Sequence, residues 1–379
     1  MQRWDAIVVG AGPAGCAAAY DLAAASHAVL LLDRAEFPRH KACAGGLTRK
    51  TLRALRYSVA PVTREVVSAV TVERRSGEAA TLTSRNPVCA MTVRQELDDF
   101  CLRKTLAAGA QFARIGTLTA LEAGSQGVTV ATEDTVFRSS FVVGADGVHS
   151  RVRQLLCGEG PKWFRRGFAL EAQVRVADQS PSDVIFDFGP VRRGYAWSFP
   201  KRDHLNVGMY TEAPDEKIDR SRLLSWIAER FDGAASVERI TGQYLGFGAE
   251  GFEAESARPA EGRVFLVGDA GGFADPLTGE GIYEAVASGQ AAAAAIDTAL
   301  LEGASAAEVF ALQTLRLRRD LRLSASGARW FYSNFDLGFR ALTAPVFRGA
   351  VINAYANGTK IATLANAVRR FARTFANRA

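Results

Sequence analysis

The 379-residue chain is poor in the side chains that hold metals or make cross-links, with five cysteines, four histidines and three methionines. Cys16, Cys43, Cys89, Cys101 and Cys157 form no Cys-x-x-Cys pair, and the histidines show no ligand spacing. That argues against a disulfide framework and against a metal site, and makes a reducing cytoplasm the default compartment. No apolar run approaches the length of a membrane-spanning helix. The N-terminus opens on a strand pattern, so no signal peptide is expected. Internal repeats are absent. Lys and Arg number 46 against 40 Asp and Glu, a net charge of +6 with a pI near 9.2. The charges are scattered, which reads as a solvated surface and gives no reason to expect a nucleic-acid partner. Apolar residues make up 48% of the chain, as in an ordinary globular protein, and the length calls for two associated domains.

What is present is glycine at telling positions. Asp5-Ala6-Ile7-Val8-Val9-Gly10-Ala11-Gly12-Pro13-Ala14-Gly15 reads as a buried strand, a tight turn and a helix start. Gly10 permits the turn, Gly12 leaves room for a phosphate, and Gly15 lets the helix pack close to the strand. Backbone N–H groups at that helix start, with Pro13 and Ala14 in its first turn, suit a pyrophosphate. A second strand, Ala28-Val29-Leu30-Leu31-Leu32, ends in Asp33, at the spacing of an acid that holds a ribose hydroxyl. Far downstream, Gly262-Arg263-Val264-Phe265-Leu266-Val267-Gly268-Asp269-Ala270 is a second glycine-bearing strand end. The two together point to FAD and to redox chemistry.

The segments between them alternate in character. Residues 66–83 alternate in strand fashion around a turn at Gly77, Thr92 onward opens an amphipathic helix to about 108, and Val128–Ala131 suggests a hairpin leading to Phe141-Val142-Val143-Gly144-Ala145-Asp146-Gly147. Long aromatic strands fill residues 169–210, and from Ile282 the chain is alanine-rich and helical. The expected fold combines α/β and α+β parts. A discontinuous Rossmann-like FAD-binding domain (1–65, 92–165, 260–300) carries an inserted antiparallel-sheet substrate domain (66–91, 166–259), and a helical region (301–379) follows.

The N-terminal fingerprint, Gly144-Ala145-Asp146-Gly147-Val148-His149-Ser150-Arg151 and Gly268-Asp269-Ala270 together resemble the p-hydroxybenzoate-hydroxylase-like class of FAD proteins. The resemblance implies that Asp269 holds the ribityl chain, that Arg94 contacts the cofactor, and that the helix after Pro276-Leu277-Thr278-Gly279-Glu280-Gly281 points its N-terminus at the flavin pyrimidine. It also implies cofactor contacts from Arg34, Asp146, Gly268, Pro276, Gly279, Gly281 and Ile282.

A narrower resemblance is carried by Lys41-Ala42-Cys43-Ala44-Gly45-Gly46-Leu47 and Tyr195-Ala196-Trp197-Ser198-Phe199-Pro200-Lys201. These are similar to the Cys-Gly-Gly element and the YxWxFP substrate motif of the geranylgeranyl reductase family. The cysteine loop departs from that pattern by reading Cys-Ala-Gly-Gly. The resemblance implies saturation of prenyl double bonds by hydride from reduced flavin. It makes Tyr195, Trp197, Phe199 and Pro200 substrate-binding, Lys41, Ala44 and Gly45 cofactor-binding, and Cys43 catalytic, as a proton relay or a shaper of the tunnel. Two rivals share the fold: a flavin monooxygenase or halogenase, and an electron-transfer flavoprotein.

A further GxGxxG at Gly246–Gly251 lacks a following helical period and reads as a loop. With no second dinucleotide domain, the expected reductant is transiently bound NAD(P)H or a ferredoxin-like donor. The last stretch carries Arg369, Arg370, Arg373 and Arg378. It reads as a cap on an isoprenoid tunnel, with peripheral contact to a membrane surface as the second reading.

Overall fold

A computed structural model describes residues 3–74, 77–158, 160–176, 183–231, 235–249, 251–252 and 262–357. The arginines at 369–378 and the stretch after Phe252 lie outside the described residues. Arg3–Val9 forms the central strand of the first sheet because Ile7 and Val8 are wholly buried there, as a parallel strand covered on both faces requires. Burying each such side chain contributes about 1.5–3 kcal/mol. Val29–Asp33 and Val136–Gly144 pair with it in parallel on either side, Gln111–Arg114 lies outside Val29–Asp33, and Val264–Leu266 joins Val136–Gly144. A hairpin of Leu118–Gly124 and Gly127–Thr132 completes this sheet in antiparallel fashion.

The crossover helix Pro13–Ala24 packs on the long helix Ile282–Glu302. Small residues allow the two backbones to touch: a Cβ on Gly289 would stand 2.2 Å from the Ala14 carbonyl oxygen. That close approach is the physical reason for the alanine-rich composition of both helices. Helices Ala306–Ser333, Phe335–Thr343 and Pro345–Asn357 follow.

The second sheet runs in the spatial order Ala235–Gly248, Phe164–Val176, Leu205–Thr211, Gly194–Pro200, Val184–Phe188, Ala69–Arg74, Ala79–Thr83. It is antiparallel except where Val184–Phe188 meets Ala69–Arg74 in parallel. That parallel pair attaches the early hairpin to strands more than a hundred residues later. A small third sheet of Gly46–Thr48, Cys89–Thr92 and Thr63–Val67 is not foreseen in the sequence reading. It pins the end of the Cys43 loop, where the Gly45 carbonyl accepts from the N–H and the hydroxyl of Thr92.

Candidate active site

Both sheets face one cavity of about 710 Å³, within the size range of cofactor and ligand sites. At one end the glycine turn sits where its spacing predicts. Gly10 has φ +105°, and a Cβ on Gly15 would stand 1.7 Å from the Gly10 carbonyl oxygen. Only glycine lets helix and turn meet. Gly12, in contrast, opens on the cavity: a Cβ there meets nothing nearer than Arg39 Nη2 at 3.8 Å. Gly12 caps the Pro13–Ala24 helix without a side-chain hydrogen bond, so the first-turn N–H groups keep their hydrogen-bonding capacity for a ligand. Asp33 accepts from the backbone N–H of Ala11 at 2.7 Å and of Ala35 at 2.8 Å, tying strand end to turn. Arg34 and Arg39 line this end with positive charge.

A second helix start faces the same space. Gly281 caps Ile282–Glu302, again with no side-chain bond, and both Gly281 and Ile282 line the cavity. The loop before it is held by Asp275 Oδ1, which accepts from the N–H groups of Leu277 and Thr278 and from the Ser324 hydroxyl at 2.6 Å. Tyr210 donates to the Pro276 carbonyl at 2.8 Å, and Tyr195 donates to the Thr278 carbonyl. Lys50 bridges Glu280 and Glu284 at 2.8 and 2.9 Å on the first turn. Two uncapped helix N-termini on one cavity fit a ligand with negative charge at two separate places. FAD has that character in its pyrophosphate and in the pyrimidine edge of its reduced flavin.

One wall of the cavity comes from the second sheet. Register places Phe186, Trp197, Gly208, Glu171 and Thr241 in one row across five strands. The neighbouring row is Tyr195, Tyr210, Ala169 and Gln243. A Cβ on Gly208 would clash with Trp197 Cζ2 at 2.3 Å, so that glycine makes room for the indole. The aromatic half is continuous, with Phe186 against Tyr195 at 5.1 Å, Phe199 at 5.5 Å and Tyr355 at 5.9 Å between ring centres. Phe331 packs on Phe188 at 5.4 Å, so C-terminal helices cover this wall.

The polar half lies beside the half-buried Cys43. The Gly45 N–H points at Cys43 Sγ over 3.4 Å. Arg94, buried at the head of its helix, pairs with both oxygens of Asp98 at 2.8 Å and also bonds Cys43. Burial opposes the Arg94 charge, but Asp98 and Cys43 outweigh it and hold the guanidinium above its ordinary value. Burial, followed by Arg94 beside it, lowers Lys41, which donates to Gln243 Oε1 at 3.1 Å. Asp269 is pushed up by burial against the pull of Lys41, Arg94 and Arg153.

Most of the residues singled out in the sequence meet at this cavity. Gly10, Gly12, Pro13, Ala14, Asp33 and Arg34 line its first end. Lys41, Cys43, Ala44, Gly45 and Arg94 line the middle, with Gly268, Asp269, Gly279, Gly281 and Ile282 opposite. Tyr195, Trp197 and Phe199 face it from the sheet. Asp146 also lines it, although its carboxylate accepts from Ser150 and from the N–H groups of Arg151 and Val152 at a helix start. Three lie outside the lining. Gly15 is buried beneath the turn, Pro276 contributes its carbonyl to Tyr210, and Pro200 pairs with Leu205 at the end of its strand. The sequence reading misses Glu171, Asn206 and Lys201. Glu171 Oε2 accepts from Asn206 Nδ2 at 3.0 Å, Asn206 Oδ1 accepts from Trp197 Nε1 at 2.8 Å, and Lys201 donates to the Ala44 carbonyl.

The FAD binding domain family model matches residues 3–310. A geranylgeranyl diphosphate reductase of Rhodobacter capsulatus is 31% identical over 315 residues, covering 80% of this chain and 77% of that protein. Two solved structures share the fold with TM-scores of 0.77 each. One is a geranylgeranyl bacteriochlorophyll reductase-like protein from Thermoplasma acidophilum, at 19% identity over 97% of this chain and 96% of that one. The other is a flavin-dependent brominase, at 18% identity over 98% and 100%. Fold similarity alone does not separate a reductase from a halogenase, whereas the sequence relationship does assign the family. The chain belongs to the geranylgeranyl reductase family of FAD-binding oxidoreductases.

Proposed function

We propose that this protein is a reductase that saturates carbon–carbon double bonds of a geranylgeranyl-type prenyl chain. The observation that carries the reading is the aromatic wall of Phe186, Tyr195, Trp197 and Phe199 on the same cavity as the two uncapped helix starts. An isolated alkene has no carbonyl to polarise, so one carbon must receive a hydride and the other a proton in a dry, fixed geometry. Bound FAD, once reduced, supplies the hydride from N5. The Gly12–Pro13 helix start would hold the pyrophosphate, with Arg34 lining the same cavity, and the Gly281–Ile282 helix start would meet the pyrimidine edge. Trp197 and its neighbours exclude water and flatten the chain, while Cys43 presses the reacting alkene toward the flavin. The reductant in this reading is NAD(P)H or a ferredoxin-like donor that docks transiently.

The test is anaerobic incubation of dithionite-reduced, FAD-loaded protein with a geranylgeranyl lipid, followed by mass spectrometry. Gain of hydrogen pairs supports the reading. Product that forms only with oxygen, carrying labelled oxygen or halide, moves the assignment to a monooxygenase or halogenase. Rapid reoxidation by quinone with the alkene untouched marks an electron-transfer flavoprotein.

A further inference from the structure

The row that faces the cavity is aromatic or neutral except at one position. Glu171 sits between Gly208 and Thr241 in that row, is 6% exposed, and lines the cavity. Its setting is built. The indole N–H of Trp197 is a donor only, so it fixes the oxygen of Asn206 toward itself and turns the Asn206 amide N–H toward Glu171. The backbone N–H of Cys43 donates to the same carboxyl. Glu171 is therefore joined to both the aromatic motif and the cysteine loop.

Several other acids on the cavity are committed elsewhere, and Asp269, also raised by burial, faces the opposing charges of Lys41, Arg94 and Arg153. Asp33 and Asp146 serve backbone N–H groups, Glu280 pairs with Lys50, and the Tyr195 hydroxyl is given to the Thr278 carbonyl. We propose that Glu171 is the catalytic acid that protonates the alkene. The O–H bond of its carboxyl breaks as a C–H bond forms at one alkene carbon, and the hydride of reduced flavin adds to the other. The alkene thus gains two electrons and two hydrogens, the flavin is oxidised and is reduced again by the external donor, and the carboxylate regains its proton from solvent. This rests on the reductase reading above and names the proton source that reading lacks.

The charged groups facing Glu171 are Lys201 at the end of the Gly194–Pro200 strand and Arg94 at its helix start; Asn206 and the Cys43 N–H complete the shell. All four favour the carboxylate, yet burial outweighs them and pushes the carboxyl up to about 7. A carboxyl that is about half protonated near neutral pH is matched to acid catalysis, which works best when the acid titrates close to the operating pH.

The test compares wild type with Glu171→Gln and Glu171→Asp, each loaded with FAD and checked for an intact flavin spectrum. Infrared titration of the oxidised enzyme should show a protonated-carboxyl band that disappears as pH rises through about 7 and is absent in Glu171→Gln. In anaerobic single turnovers, reoxidation of reduced wild type by a geranylgeranyl lipid should slow as pH rises through the same range. Glu171→Gln should be slower by roughly 10²–10⁴-fold with a flat pH profile, and Glu171→Asp should regain part of the rate and the slope. A Glu171→Gln enzyme with wild-type rate and profile, or one that keeps the infrared band, overturns the assignment of this residue alone. Wild-type enzyme that never saturates a prenyl alkene overturns the reductase reading itself, whatever the infrared band shows.

Discussion

At the scale of single residues, the buried pair of Glu171 and Lys201 sets a measurable pH dependence. Burial raises Glu171 from 4.5 to about 7, and it lowers Lys201 to about 8 against the pull of Cys89, Cys43 and Glu171. The folded protein holds the Glu171 proton through a range where the unfolded chain releases it. Its contribution to stability is therefore complete below about 4.5 and lost as pH rises toward 7. A shift of that size amounts to about 3 kcal/mol. Glu171→Gln should match wild type in Tm at pH 4 and exceed it at pH 8; equal Tm values at pH 8 would show that burial does not govern this carboxyl. Cys43→Ala should keep FAD bound and slow alkene reduction on the order of tenfold to a hundredfold by loosening the alkene's position; unchanged single-turnover rates would remove Cys43 from the mechanism. The same residues show where sequence reading stops. Tyr195, Trp197 and Phe199 are legible because period two reveals a strand face. An acid in an alternating strand reads as a solvent-facing position, and nothing local signals that Asn206, 35 residues away, will cover Glu171.

Among elements, the Pro13–Ala24 and Ile282–Glu302 helices both turn their starts toward the cavity. Both begin at glycine with no side-chain cap, which leaves their first N–H groups available to an anionic ligand at a small cost in local stability. Gly12→Asp tests this directly. The backbone there is extended, with φ −80° and ψ −174°, and a Cβ fits. The new carboxylate should cap the helix and raise the apoprotein's stability by about 0.5 kcal/mol. It should also weaken FAD binding about a thousandfold, since two negative charges about 4 Å apart repel by about 4 kcal/mol at an effective dielectric near 20. Flavin titration together with apoprotein Tm reads both signs at once. The first strand, turn and helix are legible because the turn's geometry is local. The small sheet of Gly46–Thr48, Thr63–Val67 and Cys89–Thr92 is not, because three- to five-residue strands carry too little periodicity to announce a partner.

Across the whole molecule, the glycine turn and the aromatic wall of the cavity come from different sheets, and C-terminal helices pack on the aromatic wall. Phe331 and Tyr355 lie beyond the 3–310 stretch matched by the FAD-binding family model, yet they pack on the aromatic wall. Tyr355→Ala should raise KM for a prenyl lipid several-fold while leaving flavin affinity unchanged; steady-state kinetics beside flavin titration separates the two, and an unaltered KM would place the lipid elsewhere. No helix among the described residues is long and apolar enough to cross a membrane.

The hydroxyls of Tyr195 and Tyr210 grip the carbonyls of residues 278 and 276, only a few positions before the Ile282–Glu302 helix begins. In the reductase reading proposed above, pressure on that pair of rings reaches the loop before the helix start that would meet the flavin, and the reverse holds equally. Thermodynamic reciprocity then requires that a bound prenyl chain and bound FAD alter each other's dissociation constants by one shared factor.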